Sequence, residues 1–173
     1  MCEVCWASIR HPPAPDVRFD ASRDISWAAA VAAYDGRMKD IIHALKYDRR
    51  RSISPRLGAL MRECGAGLLR DADCVVPVPL HPRREYSRGF NQAHDLALHL
   101  GLPVLPVLKR VVFTRSQIDL PKHERYLNVR DAFAMTGNPR KGLPPQVVVL
   151  VDDVSTTGAT VESSVRHRLT WWT

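Results

Sequence analysis

Apolar residues take up a helical period at Met38. Met38, Ile41, Ile42 and Leu45 fall at i, i+3, i+4 and i+7, while Lys39, Asp40, His43 and Lys46 face the other way. That spacing predicts an amphipathic helix within YDGRMKDIIHALKYDRR. A second stripe, Leu57, Leu60, Met61, Cys64 and Leu68, follows Ser54-Pro55, a pair expected to serve as N-cap and first helical residue. CVVPVPL is a short valine-rich run ended by proline, and so predicts a buried strand. From Gly89 to Leu100 a third helix is expected to bury Phe90, Ala93, Leu96, Ala97 and Leu100. Further on, LPVLPVLKRVVF reads as extended, LPKHERYLNVRDAF as a loop running into a short helix, KGLPP as a turn and QVVVLV as a second buried strand. Helices alternating with apolar strands favour an α/β fold with a mainly parallel sheet covered on both faces. Residues 6–33 carry Pro12, Pro13 and Pro15 and then an alanine-rich approach without a period. They read as an arm, which makes residues 1–33 an N-terminal segment and residues 34–173 the domain.

Composition narrows the picture. At 173 residues the chain has the length of one domain, and 45% hydrophobic with 25% charged residues is the mixture of a soluble globular protein. No apolar run approaches the roughly 20 residues of a spanning helix, so membrane insertion is not expected. The start, MCEVCWASIRHPP, lacks the charged-then-apolar layout of a secretory signal, and a cytoplasmic location is the expectation. A net charge of +7 suits an anionic partner: a phosphorylated metabolite, a nucleic acid or a membrane surface. Cys2 and Cys5 form a C-x-x-C, half of a tetrahedral zinc site, but the remaining cysteines, Cys64 and Cys74, lie far away in an apolar stripe and at a strand start. Zinc is therefore doubtful.

The segment richest in chemistry is VVVLVDDVSTTGAT, residues 147–160. In open α/β sheets, ligands bind beyond the carboxyl ends of the strands. Asp152 and Asp153 are placed at such an end. The residues that follow, Val154, Ser155, Thr156, Thr157, Gly158, Ala159 and Thr160, bring main-chain N–H groups, four hydroxyls and a glycine that lets backbone approach an anion. Acids followed by a phosphate cradle suit a phosphorylated sugar. The acids accept hydrogen bonds from vicinal hydroxyls, and the loop grips the phosphate.

This segment resembles the phosphoribosyl pyrophosphate (PRPP) motif of type I phosphoribosyltransferases, and the wider chain resembles the ComF family of competence-type proteins. Further matches are YDGRMKDIIHALKY, VVPVPLHPRREYSRGFNQA and the spaced set Thr114, Gln117, Leu120, Arg125, Asn128, Val129 and Phe133. The resemblance implies a type I phosphoribosyltransferase fold, a parallel sheet flanked by helices with a small hood over the site. It also implies PRPP as ligand, Mg²⁺ held with the substrate, and transfer of the phosphoribosyl group to a nucleobase-like acceptor. Asp152 and Asp153 would stabilise the cationic ribose. After the first strand, PLHPRREYSRGFNQ is expected to form the diphosphate loop, with His81, Arg83, Arg84 and Arg88 as donors. Gln117, Arg125 and Asn128 are the expected flap contacts, and Asn91 and Gln92 fall in the first turn of the helix after the loop, where capping alone could explain Asn91.

Family members carry two cysteine pairs near the N-terminus, and this chain shows one. After its phosphate loop the fold adds at least one more strand, whereas the chain ends 13 residues beyond Thr160. A domain shortened at both ends is expected, and its exposed sheet edge is either covered by a partner, a second copy among the candidates, or leaves the protein less stable than its relatives. The alternative function is a non-catalytic factor of DNA uptake that holds single-stranded DNA or a helicase partner. KYDRRRS and KRVVFTR would then contact the backbone, with Tyr47 and Phe113 for stacking.

Overall fold

The computed structural model describes residues 3–11, 16–18, 27–112, 132–136 and 145–155. In chain order its elements are α1 (Glu3–Ala7), β1 (Asp16–Arg18), β2 (Trp27–Ala29), α2 (Gly36–Tyr47), a 3₁₀ turn (Arg51–Ile53), α3 (Ser54–Cys64), α4 (Ala66–Arg70), β3 (Cys74–Pro77), α5 (Pro82–Arg88), α6 (Gln92–Ala97), β4 (Leu108–Arg110), β5 (Phe133–Met135) and β6 (Val148–Val151). It is a mixed α/β structure with a small parallel sheet and helices, as the alternation of stripes and valine runs implies.

The sheet is built around β3. β6 pairs with it in parallel, from Cys74 opposite Val148 to Pro77 opposite Val151. On the other side Val75 bridges Val104 in parallel, donating to the Pro103 carbonyl and accepting from Leu105 N–H. Flanked on both sides, β3 is buried at every residue, whereas Val148, Val149 and Leu150 of β6 are half-buried and only Val151 is fully covered. The Asp73 carboxylate fixes the start of β6 by accepting from Gln146 N–H at 2.7 Å and Val147 N–H at 2.9 Å. Those two hydrogen bonds hold its pKa below the usual carboxylate range.

α2 lays Met38, Ile41, Ile42 and Leu45 into the main core, which also contains Ile53, Leu57, Val75, Phe90, Leu96, Ala97, Leu100 and Val151. Its end is marked by Arg49, which adopts φ 54° and donates from its guanidinium to the Ser87 carbonyl at 2.9 Å. α3 starts differently from the expectation. Ser54 lies inside the helix with its side chain buried, because the preceding 3₁₀ turn supplies the entry, so it is not the N-cap. Leu68 falls beyond Gly65 on α4, a separate short helix. α3 meets the α6 region at Gly58, where an added Cβ would stand 2.4 Å from His99 Cβ and 3.3 Å from the Leu96 carbonyl oxygen. Gly58→Ala is therefore expected to destabilise the protein by about 1–3 kcal/mol, since overpacking outweighs the helix propensity gained. A lower urea midpoint at unchanged slope would register it.

Three further expectations need correction. The third helix does not run from Gly89: Gly89, at φ 85°, caps α5, extended Asn91 caps α6, and the helix itself is confined to Gln92–Ala97. All five residues expected to be buried there are buried. The N-terminal stretch is not a plain arm. α1 places Trp6 in the core together with Ile9, Arg56 pairs with Glu3 at 2.6 Å and lies over the Trp6 ring, and β1 and β2 pair antiparallel. Phe133 belongs to a strand rather than to a loop or short helix, because β5 supplies the antiparallel partner that β4 lacks elsewhere among the described residues. Phe133, Ala132 and Val78 form a second, smaller core.

Candidate functional site

Two parallel neighbours deliver their next residues to the same edge. Val78 N–H donates to the Val151 carbonyl at 2.9 Å, so the segments after β3 and β6 leave the sheet side by side. From β6 come Asp152, Asp153, Val154 and Ser155. From β3 come the turn to His81 and then α5.

The acid pair is arranged unequally. Asp153 N–H donates to Asp152 Oδ1 at 2.8 Å, and Asp153 Oδ2 pairs with Lys46 Nζ at 2.8 Å. The Lys46 and Asp153 side chains are only 16% and 13% exposed, so this ion pair is largely withdrawn from water. Asp152 is pushed up from the carboxylate range to about 7, first by burial and then by the charge of Asp153, against the Asp153 N–H and Lys46. Because its folded-state pKa lies above the unfolded value, the native state binds the extra proton. Stability is greatest below the ordinary carboxylate pKa of about 3.9 and falls as pH rises through about 7. The expected slope is at most about 1.4 kcal/mol per pH unit, and urea midpoints followed from about pH 4 to about pH 8 should flatten in Asp152→Asn.

The residues expected to form a diphosphate loop form a helix instead. His81 is its N-cap, accepting from Arg83 N–H, Pro82 occupies the first turn, and left-handed Gly89 closes it. Cap, proline and glycine were all visible in the sequence. Arg83 is exposed on α5, and Arg84 and Arg88 are half-buried. Arg88 donates to Gln92 Oε1 at 2.7 Å and lies over the Tyr47 ring at 5.2 Å. Burial, and then Arg88, push the Arg84 pKa down. His81 is pushed down by burial and then by Arg83, Arg110 and Arg84. Asn91 caps α6, accepting from Ala93 N–H at 3.0 Å, and its Nδ2 also donates to the Val78 carbonyl at 3.1 Å. It ties α6 to the end of β3.

Two residues at this edge were not among the expected site residues. Lys46 was assigned to the solvent face of α2, yet it lies four residues after Ile42 and eight after Met38, on the buried side. Arg110 belongs to KRVVFTR, a run given only as a nucleic-acid backbone contact of the alternative function. It shares with Leu108 the inward face of β4, is 8% exposed and stacks over Phe133 at 5.3 Å. The expected positions Thr156, Thr157, Gly158, Ala159, Thr160, Gln117, Arg125 and Asn128 lie outside the described residues, as do Cys2 and Phe113. Cys5 is half-buried, and among the described residues no three His, Cys, Asp or Glu side chains converge on a metal position. No described helix is long and apolar enough to cross a membrane.

The arrangement is that of an α/β protein with an acid pair and a basic helix meeting beyond adjacent parallel strand ends. The chain is similar to the DNA utilization protein YhgH of Salmonella typhimurium, 33% identical over 176 residues, which cover 93% of this chain and 74% of that protein. It is also similar to competence protein F of Haemophilus influenzae, 37% identical over 54% of this chain and 42% of that one. Competence protein ComFC of Bacillus subtilis is 39% identical over 53% of this chain and 36% of its own length. No protein-family model and no solved structure matches. The chain belongs to the ComF family.

Proposed function

We propose that the protein serves DNA utilization or competence, as its relatives' names say of them, and that it does so through a strand-end crevice that binds a phosphorylated pentose on a type I phosphoribosyltransferase-like fold. PRPP is the ligand this reading favours. The observation that carries it is the meeting, at one sheet edge, of the Asp152–Asp153 pair from β6 and the arginine-bearing helix from β3. Carboxylates accept hydrogen bonds from ribose hydroxyls, and arginine forks match phosphate oxygens. Ser155 opens the hydroxyl-rich stretch assigned to the 5-phosphate.

Mg²⁺ fits this donor set as a substrate-borne ion. Two carboxylates are at hand and Lys46 already compensates one, so most of its coordination would come from ligand oxygens and water. When bound it would neutralise charge on the diphosphate. In the transferase form of the reading, the bond from ribose C1 to pyrophosphate breaks as a bond to the acceptor nitrogen forms. Asp152 and Asp153 are the groups placed to stabilise the positive ribose.

Thermal unfolding with Mg²⁺, with and without PRPP, tests the ligand. At 100 times its dissociation constant PRPP should stabilise the fold by about 2.7 kcal/mol, a shift of several degrees, and the shift should vanish in Asp152→Asn/Asp153→Asn. An equal shift in the variant would refute the assignment.

A second reading rests on surface aromatics. Tyr47 and Tyr86 are 54% and 91% exposed among Arg49, Arg50, Arg83 and Arg88, and the Arg49 bond to Ser87 joins the two segments that carry them. Bases stack on such rings while arginines follow the backbone, which suits single-stranded DNA. Binding of an oligonucleotide that weakens steeply with salt and survives loss of both acids would favour this surface over the crevice.

A further inference from the structure

We propose that Lys46 is a specificity-determining residue of the crevice, donating to a sugar hydroxyl beside Asp153 and so making the site select ribose over 2-deoxyribose. This deepens the phosphorylated-pentose reading and rests on it.

The ammonium is held in place by its helix. Ile42 and Leu45 anchor the last turns of α2 in the main core, Arg88 lies over the Tyr47 ring at 5.2 Å, and Arg49 donates to the Ser87 carbonyl at 2.9 Å. The end of α2 is thereby fastened to α5, the helix that follows β3. From there Lys46 Nζ reaches Asp153 Oδ2 at 2.8 Å, beyond the end of β6, with 16% of its side chain exposed. A lysine fixed in this way is a pre-positioned donor rather than a mobile surface charge.

The kind of contact separates Lys46 from the arginines that tie elements together elsewhere. Arg51 forks onto both oxygens of Asp95 at 2.7 and 2.8 Å, and Arg56 onto both oxygens of Glu3. Such forks fill the edge of the carboxylate they meet. Lys46 engages one oxygen of Asp153, and among the described residues its ammonium has no second acceptor, although it carries three donors. A donor and an acceptor are therefore left side by side, largely out of water. Asp152 stands next to them, its Oδ1 accepting from Asp153 N–H at 2.8 Å. A hydroxyl accepts and donates at once, and a vicinal diol offers two: one for Lys46 and Asp153 together, its neighbour for Asp152. An analogue lacking one hydroxyl leaves a shielded charged group unpaired, and sites built on such hydrogen bonds reject it strongly. A 2-deoxy sugar is that analogue, so the crevice takes the ribo form and refuses the sugar of DNA.

Calorimetric titration with ribose 5-phosphate and 2-deoxyribose 5-phosphate, at constant ionic strength and each up to about 10 mM, reads the selection. Wild-type protein should bind the ribo form at least about tenfold more tightly. Lys46→Arg isolates the residue, because it keeps the charge that Asp153 requires while its fork takes both carboxylate oxygens. In it, affinity for ribose 5-phosphate should fall by at least about fivefold and that for the 2-deoxy sugar by less than about twofold. A purely structural Lys46 would leave the ratio unmoved, and that result overturns the proposal. So does wild-type protein that binds both sugars alike, prefers the 2-deoxy form or ignores both. The wild-type Lys46 ¹⁵Nζ resonance gives a readout that needs no variant. It should shift with ribose 5-phosphate and not with the 2-deoxy sugar, and an unmoved resonance in protein that has bound ribose 5-phosphate contradicts the proposal. Stabilisation by PRPP that requires both acids, together with equal affinity for the two sugars, would keep the pentose reading and sink the role of Lys46. Silence toward PRPP and both sugars would sink both.

Discussion

Replacing Lys46 by methionine is expected to cost about 3–5 kcal/mol of folding free energy. The side chain volume is nearly kept, so the loss comes from charge. Removing the ammonium 2.8 Å from Asp153 Oδ2 leaves a carboxylate, largely shielded from water, beside Asp152. A surface ion pair would contribute no more than about 1 kcal/mol, but this one is far less exposed than that class. The partner variant makes the argument specific. Asp153→Asn in the Lys46→Met background should recover most of the stability, because two neutral groups remain where one orphaned charge stood. Urea unfolding of wild type, both single variants and the double variant measures the coupling. Additive losses would contradict the account.

Phe133→Ala should be comparably damaging, by about 3–5 kcal/mol. The ring is 1% exposed, packs with Val78 and Ala132, and lies beneath the Arg110 guanidinium. Its removal opens a hole between the β4–β5 pair and the end of β3, at the place where that pair is anchored. A variant with the wild-type melting temperature would mean that the small second core does not support the fold.

What could be read from the sequence is what repeats or punctuates. The period of α2 places Met38, Ile41, Ile42 and Leu45 correctly because an amphipathic helix in a small domain has one dry face. The valine run of β3 announces burial on both faces, and all four of its residues are buried. Asn91 is recognisable as a cap by its chemistry alone. What escaped is tertiary. Trp6 shows no period because α1 is only five residues long, and the burial of Trp6 and Ile9 comes from joining a core cluster built by residues distant in the chain. Ser54 reads as a cap until the 3₁₀ turn before it takes over the entry to α3. Lys46 and Arg110 sit on inward-facing positions, but polarity argues against burial until a compensating acid or a stacking ring is known. The acid pair itself was legible at the end of β6. Its inequality was not, because that depends on a lysine more than a hundred residues earlier in the chain.

The proposed ligand site lies beyond the adjacent ends of β3 and β6. Amide chemical shifts of ¹⁵N-labelled protein, followed as PRPP and Mg²⁺ are added, test it most directly. The largest changes should fall at Asp152–Ser155, at His81–Arg84 and at Lys46. Changes concentrated instead along the groove between α1 and α3, lined by Glu3, Trp6, His11, Arg56 and Leu60, would contradict it.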